Sequence, residues 1–127
     1  MRPFILIFMF FLISCASSAS VNKESGRSFI VNDRSYSEDW NAAILTVSSV
    51  GAIESENKFL GEVRGLRGAS AWSWGDAIAV FIDPPQNDTR RFTVTVVSEH
   101  IMQTQISGQD FKGSMIATMK AHLKLYD

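Results

Sequence analysis

Apolar positions change their spacing several times along this chain, and each change marks an element. Phe4 to Ile13 is an unbroken apolar run, much shorter than the about 20 residues a helix needs to cross a bilayer core. Residues 16 to 35 turn polar, rich in serine, asparagine and charge, with Phe29-Ile30-Val31 as an edge strand or a segment pinned to the core. From Ser35 the period becomes helical. Trp40, Ala43, Ile44 and Val47 fall on one face, Ser35 and Glu38 have capping-box spacing with Ser37 as a rival cap, and Gly51 supplies a stop. Three strand-like runs follow. Ile53 to Arg64 alternates, with Ile53, Phe59 and Val63 opposite Glu54, Glu56, Lys58 and Glu62; Gly65-Leu66-Arg67-Gly68 reads as a turn. Ala71 to Ile82 places Trp72, Trp74, Ile78, Val80 and Ile82 on one parity, and Pro84-Pro85 ends it. Phe92 to Ser98 sets Phe92, Val94 and Val96 against Thr93 and Thr95. Ser107 and Asp110 open a last helix, whose Phe111, Met115, Met119 and Leu123 recur every four residues.

This order predicts an α+β fold: helix, three-stranded antiparallel meander, helix, with both helices on one sheet face. Residues 36–127 form the single domain, 15–35 its tether, and 1–14 a leader. As flexible coil a tether of 20 residues reaches about 25 Å.

Charge adds exclusions. With the leader and its Arg2 removed, 11 basic face 13 acidic side chains among 113 of the 127 residues. That is no polybasic surface, and the pairs Arg64/Arg67 and Arg90/Arg91 fall at opposite ends of the expected sheet, so nucleic acid is not an expected partner.

Arg2, a short apolar core and then small residues make a signal-peptide pattern. Leu12-Ile13-Ser14-Cys15 contains the chain's single cysteine. It resembles the lipobox of bacterial lipoproteins: an aliphatic residue, a tolerant position, a small residue, then cysteine. The resemblance implies diacylglyceryl attachment at the Cys15 thiol, cleavage before it, and a membrane anchor. Ala16 rather than aspartate after that cysteine implies the outer membrane, facing the periplasm. The rival is an ordinary secretory leader cut after Ala19. Either way no intradomain disulfide forms, so stability comes from a packed core. Small lipoproteins of the envelope assembly machinery also combine helices with a three-stranded meander, but place both helices first, and none of their motifs occurs here.

The chemistry-bearing residues do not assemble into a reaction. His100 and His122 lack metal-site spacing. Ser49, Ser73 and Ser98 lack a nucleophile turn, and Glu54 and Glu56 share a solvated face with Lys58. Asn87-Asp88-Thr89 reads as a polar turn. No enzyme activity and no cofactor are expected.

Two surfaces remain. Trp72 and Trp74 read as core, or else as a glycan platform. Pairing Phe59 with Trp74 sets Gly61 opposite Trp72 and Asn57 opposite Asp76, giving a candidate small-ligand set of Asn57, Asp76, Ser98 and His100. The sheet face away from the helices offers Leu60, Ala79, Phe81 and Val97 as a candidate docking surface for an envelope protein partner. The expectation is a lipid-anchored, non-catalytic partner-binding protein. A glycan- or small-ligand-binding module, or an inhibitor or immunity protein of an envelope hydrolase, is the alternative.

Overall fold

The computed structural model describes residues 23–68, 75–85, 90–100 and 111–125. The leader with Cys15, the pair Trp72 and Trp74, and the Ser107–Asp110 cap lie outside the described residues. After a 3-10 turn at Lys23–Ser25 come β1 (Arg27–Asn32), α1 (Tyr36–Val50), β2 (Ala52–Asn57) and β3 (Glu62–Arg67). β4 (Asp76–Asp83), β5 (Arg91–His100) and α2 (Lys112–His122) follow. The strands form one five-stranded antiparallel sheet in the order β1-β5-β4-β3-β2. The chain thus lays down one edge strand, crosses the sheet as α1, and returns as a four-stranded meander that closes on β1.

The expected order of helix, three-stranded meander, helix is not what forms. Two local causes account for the extra strands. The alternation from Ile53 to Arg64 is split by a turn at residues 58–61, so one long strand becomes the hairpin β2–β3. Gly65-Leu66-Arg67, expected as a turn, continues β3 opposite Ile78, Ala77 and Asp76. At the other edge Phe29-Ile30-Val31 lies inside β1, opposite Val94, Thr93 and Phe92, and Ser28 and Thr95 hydroxyls meet across the pair at 2.7 Å. Residues 23–32 are therefore part of the folded unit, not of the tether.

α1 starts at a reciprocal cap: Ser35 Oγ accepts from Glu38 N at 3.1 Å, and Glu38 Oε1 accepts from Ser35 N at 3.0 Å. These bonds to Ser35 backbone and side chain, helped by Arg34, hold the Glu38 carboxyl below its usual pKa. Tyr36, Trp40, Ala43 and Val47 form the buried stripe of α1, and Met115 and Met119, continued by Leu123 just past the helix end, that of α2. Both stripes meet Val31, Val63, Ile78, Val80, Ile82, Phe92, Val94 and Val96 in one core on one side of the sheet. A Cβ on Gly65 would lie 2.7 Å from both Val47 Cγ1 and the Ala52 carbonyl oxygen, so this glycine lets α1 sit close to β3. Among the described residues no helix is long and apolar enough to cross a membrane.

Candidate interaction surfaces

The candidate ligand set does not come together. Asn57 pairs with Glu62 across the β2–β3 hairpin, and its Oδ1 accepts from Leu60 N at 3.1 Å, which makes it a turn residue. Glu62 stands opposite Phe81, five positions along β4 from Asp76, about 17 Å away at 3.4 Å per residue. The expected register of Asn57 opposite Asp76 fails because β3, not β2, is the neighbour of β4. Asp76, Ser98 and His100 do share the far end of the β4–β5 ladder, where Asp76 pairs with His100 and Ile78 with Ser98. The His100 side chain lies outside the described residues. Fully buried Asp76 has Arg67 Nη1 at 3.6 Å from Oδ2, and the Arg67 guanidinium lies 4.8 Å from the Phe111 ring. Ser98 Oγ accepts from Phe111 N at 3.3 Å. These contacts tie the start of α2 to the sheet: a buried carboxyl group beside a guanidinium that lies against an aromatic ring.

The candidate docking residues part company in a similar way. Ala79, Phe81 and Val97 do face away from the helices, but they are buried, Phe81 only 2% exposed, in a small cluster with Ala77 and Leu66. Two cations flank Phe81, Arg64 at 5.1 Å and Lys23 at 5.8 Å from its ring, and Lys23 also pairs with Asp83 at 3.0 Å. A Cβ on Gly26 would press against Thr95 and Val97, so the N-terminal segment lies on this face. The bare face expected for Ala79, Phe81 and Val97 is thus a covered one. Leu60 is different, half exposed in the turn between β2 and β3.

That turn is held from behind. Tyr36 Oη donates to the Lys58 carbonyl at 2.6 Å, Leu60 N donates to the Asn57 carbonyl at 3.2 Å, and Ile82 N donates to the Gly61 carbonyl at 2.8 Å. Gly61 takes φ +72°, and a Cβ there would collide with the Ile82 carbonyl oxygen. The expected place for Gly61, opposite Trp72, is taken by this contact with Ile82. A turn fixed at both ends presents Phe59, 72% exposed, beside Leu60.

A second surface runs along β1. Among the described residues no strand pairs with its outer side. An open groove of about 630 Å³ touches Phe29, Ile30, Asn32, Asp33, Arg34, Lys120, Lys124 and Leu125. Phe29 and Ile30 point to opposite faces of the sheet, so a groove that reaches both wraps the strand edge. Three cations, Arg34, Lys120 and Lys124, face one acid, Asp33. Arg34 is fixed by Nε donating to the Leu123 carbonyl at 2.9 Å. A smaller groove of about 440 Å³ between α1 and the end of α2 shares Arg34 and Lys124 and adds Glu38 and His122.

Two groove residues hold costly backbone conformations. Lys124 sits at φ +56° just past α2, where Leu125 N bonds to the Lys120 carbonyl and Lys124 N to the Ala121 carbonyl. This is a Schellman end with lysine in the position that favours glycine. Asp33 sits at φ 59°, held by Asp33 N donating to the Arg90 carbonyl and Arg90 Nη2 donating to the Asp33 carbonyl.

Asp39, a residue the sequence did not single out, is fully buried on α1, and neither carboxylate oxygen has a hydrogen-bond partner among the described residues. Burial, reinforced by the Glu38 charge and opposed by Arg34, pushes it up to about 7. Among the described residues no group of His, Cys, Asp and Glu side chains is arranged to hold a metal. The chain matches no protein-family model and no curated protein.

Proposed function

We propose that this chain is a lipid-anchored protein of a bacterial cell envelope, held at Cys15 and facing the periplasm from the outer membrane. It has no catalysis of its own, and it binds a protein partner by accepting an extended acidic segment along β1. The observation that carries the binding role is the groove around the outer edge of β1. Strand addition supplies main-chain hydrogen bonds, while side chains on alternate positions find separate pockets. Here Ile30 and Phe29 offer apolar contact on the two faces, and Arg34, Lys120 and Lys124 select acidic residues. The anchor rests on the Leu12-Ile13-Ser14-Cys15 pattern.

The test is titration with a short acetylated peptide alternating glutamate and valine, followed by amide shifts. Shifts confined to β1 and the end of α2, lost when alternate peptide amides are N-methylated, support the reading. Replacing Lys120 and Lys124 together by glutamate should weaken binding about tenfold, since exposed ion pairs contribute up to about 1 kcal/mol each. Binding that ignores N-methylation makes the groove a simple anion site, and no shift at millimolar peptide removes the groove from the proposal.

A further inference from the structure

We infer that the β2–β3 turn is a membrane-contacting tip, with Phe59 and Leu60 entering the bilayer that carries the Cys15 anchor. This rests on the lipid anchor proposed above and deepens it by fixing which end of the domain faces the lipid.

Two large apolar side chains exposed side by side on a turn need a covering partner or a reason to face water. Ordinary surface turns favour glycine, proline, asparagine, aspartate and serine. This one keeps Asn57 and Gly61 for its geometry and places Phe59 and Leu60 at its crown, 72% and 50% exposed. Mobility does not explain the display, because Tyr36, Asn57 and Ile82 all bond to the turn.

The occupant follows from where the chain leads. Gly61 bonds to Ile82, and the next residue, Asp83, pairs with Lys23. The turn and the start of the described chain therefore meet the same end of β4. Seven residues separate Lys23 from Cys15, and the eight Cα-to-Cα steps between them span at most about 29 Å in any conformation. An acylated Cys15 thus keeps this end of the sheet within one short reach of the lipid surface. Lys58, exposed beside Phe59, suits the headgroup layer, where a lysine stem lies among apolar groups and its ammonium stays wet. Glu54 and Glu56 lie back along β2, so the tip enters lipid and the strand does not.

The test uses the full acylated chain carrying Phe59→Cys, labelled there with an environment-sensitive fluorophore and reconstituted in vesicles of phosphatidylethanolamine with phosphatidylglycerol as minor component. Leu60→Cys is the second tip variant, and Ser48→Cys, exposed near the far end of α1, is the depth control. Labelled palmitate reports the anchor separately. The inference expects blue-shifted emission at positions 59 and 60, and quenching by nitroxide-bearing lipid several-fold stronger than at position 48. Equal quenching at all three positions in an anchored chain overturns the tip and leaves the anchor standing. A chain that takes up no palmitate loses the anchor, and with it the reason to place the tip at a bilayer. A probe shielded from lipid quencher but crosslinked to protein makes the tip a plug for a protein socket, and overturns the inference too.

Discussion

Asp39 shows how one side chain can set the pH response of the domain. Its carboxyl titrates near 3.8 when unfolded and is raised to about 7 by burial in the fold. Below pH 4 both states carry the proton and the residue imposes no titration cost. Between about 4 and 7 the unfolded chain ionises while the folded chain keeps its proton, so stability falls as pH rises and levels off above 7. Asp39→Asn removes that slope. Urea unfolding should show the variant gaining on the wild type between pH 4 and pH 8 by on the order of 2–4 kcal/mol; parallel curves would mean that the carboxyl is already ionised in the fold. Lys124 carries a cost of a different kind. Lysine at φ +56° costs roughly 1 kcal/mol against glycine. Lys124→Gly should therefore hold or raise the melting temperature while weakening the acidic peptide, because one groove cation is gone. Neither residue was visible in the sequence. Asp39 falls among polar neighbours of α1, and a helix end normally announces itself with glycine.

At the level of elements, period-2 parity was a sound guide where a strand is long and apolar. Ile78, Val80 and Ile82, with Val94 and Val96, face the helices, and the helical spacing around Trp40 and Met115 gives the buried stripes of α1 and α2. It misled where a turn fell in step with the alternation. Phe59 shares its parity with Ile53 and Val63, so Asn57 and Gly61, the two residues that make the turn, were absorbed into one strand. The short β1 was only half legible, since half of its side chains are polar and its partner Thr95 lies 67 positions away. The outer face misled for another reason: its cover comes from Lys23 and Gly26, in a stretch whose composition resembles a linker. That cover changes the expected outcome at Phe81. With the ring buried between two cations, Phe81→Ala should cost about 3–5 kcal/mol, in the range of buried aromatics. A melting temperature like that of the wild type would mean that Lys23 and Arg64 do not seal the ring.

Over the whole molecule, the proposed tip, the proposed groove and the start of the described chain gather at one end. The turn at residues 58–61, the Lys23–Asp83 pair, the close of β1 at Asn32 and the C-terminus of α2, tied by Arg34 to Leu123, all lie at the end of the sheet where β4 finishes. On the proposed lipid anchor, a partner segment adding to β1 would be met close to the bilayer, and the reach of the tether would become part of the proposed binding function. This can be tested without touching any binding residue. A helical spacer of about 20 residues inserted after Ser20 lengthens the link by about 30 Å, at 1.5 Å per residue, and is semi-rigid. A glycine-serine spacer of equal length stays a coil that can fold back. The helical spacer should lift the tip from lipid quencher and reduce partner crosslinking in cells, while the coil preserves most of both. Melting temperature and affinity for the acidic peptide in solution should be the same in all three chains, because the domain itself is untouched. If the helical spacer leaves crosslinking intact, the partner reaches β1 without help from the membrane, and the shared end of the sheet has no bearing on its capture.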